Sequence, residues 1–572
     1  MLPFGFMVFV RMLAVAWLSS LYAALLLVLL VFFLNPIVPI RLGTLAALLP
    51  LWVLLSLPLA VAWPAGYRFL RIFARRRLRL RWFSFKYLLG FSGVNLVLVS
   101  ILYGLNAELA GVSIPQDAGT RLRVAACVVG LTAVGVILAA LIQGVRKARA
   151  TRRACFLAAG LLPILLLMVR GSHTEAKPSP YTPELIPPSR DAPRLLVFGF
   201  EGATLDQVLP LVAQGKLPWL GKLIQQGAHG RLASFRPCVP VVAWESLFTG
   251  KLPSKHHILG DVRYDLPFGG GELRVAPRGF LFRRLAPLSG LTRSTQDPSQ
   301  SRALTLVQIL NRLHSPAAIF RTGELREPRS ASRPSALLDR FLDPEIPTPP
   351  STRRLRDDLR RALEEDEAVA SEALEAWRGG SYGTVVVQLP GLDRVSHLFL
   401  RYAMPASFGD VPPKELEKYG AVLERYYRYL DDWIGEFLAP YFASDEGIGE
   451  RKVLVMIVSP YGIEPVPLLE RFLLWLGGDR LASGYHDHAP DGLIVAAGSG
   501  VFHGKPLGKA SILDVTPTLL YDLRLAIGMD MDGHPLTHLF DEATISRSPV
   551  LLIPSYEASR ISRRKEESSG SP

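Results

Sequence analysis

The sequence predicts an α/β domain with a mostly parallel central sheet, preceded by about five transmembrane helices. Two observations carry this. Apolar residues pile up in the first 170 of 572 positions, in uncharged runs as long as a bilayer is thick. Beyond position 193, short apolar runs bounded by turn residues alternate with longer helical stretches, the pattern of strands and helices in a parallel sheet. The composition agrees, since 49% of the residues are hydrophobic, more than a wholly soluble chain usually carries.

Five runs stand out: Leu13 to Leu34, Gly43 to Trp63, Tyr87 to Asn106, Val124 to Gln143 and Ala154 to Val169. The first four reach the roughly 20 apolar residues a crossing needs. The fifth is shorter and contains Pro163. The first run is longer than the core of a signal peptide and no small-residue cleavage site closes it, so it reads as an uncleaved membrane helix. Residues 67–86 hold eight Lys and Arg and residues 145–153 hold five, whereas residues 35–42 and 108–123 are poor in them. The two basic loops are therefore expected in the cytoplasm. Five crossings place everything after Arg170 outside; four would place it inside.

The net charge of +14 does not call for nucleic acid. Much of the excess lies in those two loops, where it sets topology and meets anionic lipid. The expected partners are the bilayer and a phosphorylated envelope component or membrane protein. The three cysteines are Cys127, Cys155 and Cys238. Only the last lies beyond the membrane region, which excludes an intradomain disulfide and a thiolate metal cluster there.

Residues 171–193 read as a Pro-rich linker, 194–550 as one ectodomain and 551–572 as a polar tail. The strands expected in the ectodomain are "RLLVFGF", "TVVVQL", "KVLVMIV" and "DGLIVAAG". Helices are expected at "ALTLVQILNRL", from Arg354 to Trp377 with a solvated face near Glu364, from Lys414 to Leu438, and at "ILDVTPTLLYDL". In open α/β sheets, ligands bind beyond the carboxyl ends of the strands. The polar residues of interest fall there. Glu201 follows the first strand, Asp393 and His397 follow the second, and Ser459, Pro460 and Tyr461 follow the third. His486 and His488 precede the fourth. Asp and His four residues apart share one helix face and are both metal-binding types.

"FGFEGATLDQVLPLVAQGKLPWLGKLIQQGAHGRLAS", "AWESLFTGKLPSKHHILG", "LDRVSHLFLRY", "HDHAPDGLIVAAGSGV" and "DMDGHPL" occur in this order. Together they resemble the alkaline phosphatase superfamily, and within it the type I phosphodiesterase and nucleotide pyrophosphatase branch. The resemblance implies an alkaline-phosphatase-like sandwich, a two-metal site, usually zinc, and a Thr or Ser nucleophile at a helix N-terminus. Five helices before such a fold also resemble the organisation of phosphoethanolamine transferases and lipoteichoic acid synthases.

Residue by residue, Asp393, His397 and His488 match the ligands of one metal, with His486 as a neighbour that could substitute. The other site departs from the pattern. Glu201 stands where the family has Asp, though as a remaining ligand or a base it keeps a carboxylate. Pro240, ten residues before Gly250, occupies the nucleophile position. Ser459, Pro460, Tyr461 and Gly462 replace Ser-Asp-His-Gly. Cys238 and Ser234 are candidates for a displaced nucleophile, against which stands the need for placement to within an ångström. His256 and His257 are expected to pack or to face solvent.

The resulting expectation is a membrane-anchored extracytoplasmic protein of this family that holds one divalent metal at most, which the resemblance implies is zinc. Its nucleophile and second site are degraded, making it a pseudoenzyme that binds a phospho-ligand or a partner. The alternative is an active metal-dependent phosphodiesterase or phosphotransferase on envelope phosphoesters, using one metal and an activated water.

Overall fold

A computed structural model describes residues 4–73, 85–145, 149–171, 188, 192–267, 271–279, 281–295, 298–322, 334–345, 352–409, 411–442, 452–476, 479 and 481–557. The chain divides into two compact units. The first comprises Met1–Lys177 and His257–Gln300, the second Pro178–His256 and Ser301–Pro572. Residues 257–300 lie inside the stretch read from the sequence as one ectodomain, yet they pack with the N-terminal helices.

The first unit is a bundle of α1 (Phe4–Leu34), α2 (Leu42–Phe73), α3 (Phe85–Leu109), α4 (Gln116–Val145) and α5 (Arg149–Arg170). All five are long and apolar enough to cross a membrane, including the 22-residue α5. Pro163 sits inside α5 without ending it, as membrane helices tolerate where neighbours satisfy the freed backbone groups. Helix α4 begins at Gln116, within the 108–123 stretch expected as a loop. Arg121 on its first turns donates to the carbonyl of Arg170 at 2.7 Å. Arg170 in turn donates to the carbonyls of Phe32, Pro36 and Val38. The guanidinium thus satisfies the Phe32 carbonyl in the last turn of α1 and two carbonyls of the turn that follows. Most of the basic loop 67–86 and part of 145–153 lie outside the described residues, as does nearly all of the linker.

The second unit is built on a seven-stranded sheet. Its strands, in spatial order, are Lys505–Ser511, Gly227–Ala233, Gly492–Gly498, Val453–Ser459, Arg194–Phe200, Thr384–Leu389 and Ala317–Phe320. Pairing is parallel except at Gly492–Gly498, which runs against both of its neighbours. The sheet is thus mostly parallel, as the sequence predicts, and all four expected strands are present.

The central strands read as unbroken apolar runs because both their faces are covered. Leu196, Phe198 and Phe200 enter one core with Val385, Val387, Val455 and Ile457. Leu195 and Val197 enter the opposite core with Val386, Leu454 and Met456. The helices Arg353–Gly379, Gly391–Ala403 and Val422–Leu438 cover the first face, and Pro240–Thr249, Leu306–Arg312 and Val515–Asp522 the second. The Arg353–Gly379 helix is charged, but it buries Asp366 completely on its inner face. The chain beyond residue 551 is not all tail. Leu552 and Ile553 pair with Ile527 and Gly528, and buried Glu557 accepts from Lys251 at 2.7 Å. Residues 558–572, including "RISRRKEE", lie outside the described residues.

Candidate metal centre

The Thr384–Leu389 strand ends at Pro390, and the helix Gly391–Ala403 starts at once. Asp366 fastens this start. Its carboxylate accepts from the Gly391 N–H at 3.1 Å and from the Tyr426 hydroxyl at 2.9 Å. No larger residue fits at 391, because a Cβ there would stand 1.8 Å from Tyr426 Oη and 2.4 Å from Asp366 Oδ2. Asp393 and His397 therefore emerge on one face at a fixed height above the sheet.

The third member of the candidate group is His486, where the resemblance implied His488. The Gly492–Gly498 strand is reversed, so its amino end lies at the carboxyl ends of its neighbours, with Leu493 beside Ser459. The residues just before it are brought to the same edge as Asp393. A short antiparallel pairing of Gly484 and Tyr485 with Pro465 and Glu464 then fixes which histidine turns inward. His486 is buried. His488 is exposed, and its N–H donates to Glu464 Oε1 at 2.7 Å.

One ligand atom each from Asp393, His397 and His486 lies within 4.8 Å of the others. The two Nε2 atoms are 2.8 Å apart. Asp393 Oδ2 is 3.5 Å from His397 Nε2, and Oδ1 is 3.2 Å from His486 Nε2. The other ring nitrogens face backbone carbonyls, His397 Nδ1 at 2.8 Å from Gly484 O and His486 Nδ1 at 3.3 Å from Gly462 O. Assigned from this pattern, Nδ1 carries the proton in each ring and both Nε2 lone pairs point at one spot. Asp393 Oδ1 is buried beside it and accepts no hydrogen bond. Burial works against charging His486, but the Asp393 carboxylate outweighs it and raises the affinity of that ring for a proton. In that tautomer two lone pairs and a carboxylate oxygen converge, a donor set that fits a divalent cation. Backbone carbonyls that orient metal-bound imidazoles are the usual support.

The neighbouring groups are arranged differently. Glu201 Oε1 accepts from Gln388 Nε2 at 2.7 Å, and Oε2 accepts from the Tyr461 hydroxyl at 3.0 Å. Glu201 keeps some exposure as a residue, but its carboxyl is enclosed. Burial and the negative charge of Asp393 push its pKa up to about 7. Tyr461 is 1% exposed, and its ring meets that of His486 at 4.9 Å. Ser459 donates to the Tyr461 carbonyl and accepts from the Ala203 N–H. The Ser459–Pro460–Tyr461 turn is thereby knitted to the turn after Glu201.

Pro240 is the first residue of its helix, after an extended Val239, a place where proline is pre-organised and its missing N–H goes unneeded. Cys238 lies just before it. Burial, with the charges of Asp393, Asp487 and Glu201, pushes its thiol up to about 12, so it is a thiol rather than a thiolate at neutral pH and a poor displaced nucleophile. Ser234 stands 3.9 Å from it. His256 packs, fully buried, with Ser246 Oγ at 2.8 Å.

Sequence reasoning missed Gln388, Gly484 and Asp366. Gln388 had a signal, as the polar residue in an otherwise apolar strand. Gly484 had none, although a Cβ there would stand 2.9 Å from His397 Cα and 2.8 Å from Ser396 O.

The type I phosphodiesterase / nucleotide pyrophosphatase family profile matches residues 195–476. No curated protein matches the chain.

Proposed function

Residues 195–476 make this chain a member of the type I phosphodiesterase / nucleotide pyrophosphatase family, and from that premise we propose that it is a membrane-anchored, one-metal member that binds a phosphorylated ligand with little or no turnover. Asp393, His397 and His486 hold the cation. When bound, it supplies positive charge to an oxygen of the phosphoryl group. The chain's own groups then bind and orient the ligand.

The observation that carries this reading is the contrast between adjacent halves of one site. One half brings Asp393, His397 and His486 ligand atoms within 4.8 Å of one another. The other half is closed by the hydrogen bond from Tyr461 to Glu201. Pro240 offers no hydroxyl at the helix start where the family places its nucleophile. The two basic loops and an odd number of crossings favour an extracytoplasmic position for the second unit, where the ligand is an envelope phosphoester or a phosphorylated membrane partner. Titration of the zinc-loaded full chain with inorganic phosphate tests this. Binding that disappears in the metal-stripped protein and in His397→Ala is expected. Equal binding with and without metal contradicts it.

A second reading, a one-metal phosphodiesterase with Glu201 as general base, is favoured by one observation. A carboxyl held at about 7 has the affinity that proton transfer near neutral pH asks for.

A further inference from the structure

The chain passes between its two units at three places, 177/178, 256/257 and 300/301. The first is the linker. The other two are the ends of residues 257–300, which leave the second unit, pack on the membrane helices and return. Their seat is made largely by two asparagines. Asn35, one residue past α1, accepts the N–H groups of Arg274 and Val275 at 2.8 and 3.0 Å and donates to the Val275 carbonyl at 2.9 Å. Asn106, in the last turns of α3, accepts the Arg278 N–H at 2.7 Å and donates to its carbonyl at 3.0 Å. Each side-chain amide thus satisfies both backbone groups of one residue, as a neighbouring β-strand would.

Both asparagines are buried, at 6% and 1% exposure, and each uses its second amide hydrogen on a carbonyl of its own helix. A buried amide with all its hydrogen bonds made specifies one arrangement, because any slip leaves polar groups unpaired. Apolar contacts surround the clamps. Tyr264, Leu273, Phe282 and Leu291 share one buried cluster with Phe32, Leu102 and Tyr103 of the bundle. Gly279 approaches so closely that a Cβ would be 3.1 Å from Leu102 Cδ2.

We infer that residues 257–300 are a docking module whose partner is the helix bundle of the same chain. It holds the phosphodiesterase-family unit on the membrane by non-covalent contacts, independently of the linker. The inference rests on this seat alone and not on what the metal centre does.

The test is a specific protease site placed within residues 172–187 of the full chain, which carries an affinity tag at its N-terminus. The protein is purified in mild detergent, cut, and captured again by the tag. The fragment beginning near residue 178 is expected to be retained with the bundle in equal amount. A fragment that washes away after cutting overturns the inference, and this arm needs no variant to fold. In the Asn35→Ala, Asn106→Ala, Phe282→Arg variant, checked as monodisperse before cutting, retention should fall at least about ten-fold, the scale of leaving several buried backbone groups unpaired. Undiminished retention in that variant assigns the holding to other contacts and overturns the inference too.

Discussion

His397 and His486 face each other through Nε2 atoms 2.8 Å apart, while a backbone carbonyl engages the other nitrogen of each ring. A cation bound at both Nε2 atoms would take the place of that contact. Elemental analysis of the purified full chain should therefore find no more than one tightly held divalent metal per chain. His397→Ala and His486→Ala should each remove most of it, and His488→Ala should leave it unchanged. Loss in the His488 variant alone would return the third ligand to the other histidine.

The carbonyl of Gly484 should matter nearly as much as the ligands. A side chain at 484 pushes on Ser396 and His397 and displaces the group that orients the His397 ring. Gly484→Ala should weaken metal affinity by about 10- to 100-fold, the usual effect of losing an orienting partner. Competition with a chromophoric chelator measures this, and an unchanged affinity would show that the carbonyl does not orient the ring.

These residues also mark how far the sequence could be read. The four central strands were legible because burial on both faces leaves an uninterrupted apolar run. Asp393 and His397 were legible because four residues is one turn of helix. The choice between His486 and His488 was not, since it depends on the reversed strand and on a pairing with residues 464 and 465. The docking of residues 257–300 on the bundle was equally hidden, because Asn35 and Arg274 lie far apart in sequence and neither has a local signature. The early start of α4 escaped because residues 108–123 separate two apolar runs and read as a loop, whereas Arg121 within them is satisfied at the end of α5.

Asp366 supplies a pH dependence. Burial pushes its carboxyl up to about 7 despite the hydrogen bonds from Tyr426 and Gly391. A carboxyl whose folded pKa is raised contributes stability that is fully present below its unfolded value of about 4 and is lost as pH rises through about 7. Thermal unfolding of the full chain should become easier between about pH 4 and about pH 7, by up to a few kcal/mol from this residue. Asp366→Asn keeps an acceptor for Gly391 and offers a donor to Tyr426, so it should flatten that slope. An identical slope in the variant would remove Asp366 from the account.

The side of the membrane is open to a direct measurement. A reporter active only outside the cytoplasm should be on when fused at Lys177 and off when fused at Arg149. Silence at Lys177 would mean that α5 does not cross.

Turnover is the most direct test of the central claim, that the metal half of the site is kept and the reacting half is closed. Full-length protein loaded with divalent metal is assayed on a chromogenic phosphodiester. The predicted result is no hydrolysis above the protein-free rate, unchanged in Pro240→Thr alone, since such groups act as a unit. Some turnover and a second bound metal should emerge only when Glu201→Asp, Pro240→Thr, Pro460→Asp and Tyr461→His are combined. Robust hydrolysis by the unaltered protein, abolished by His397→Ala, would contradict the claim and establish a one-metal enzyme.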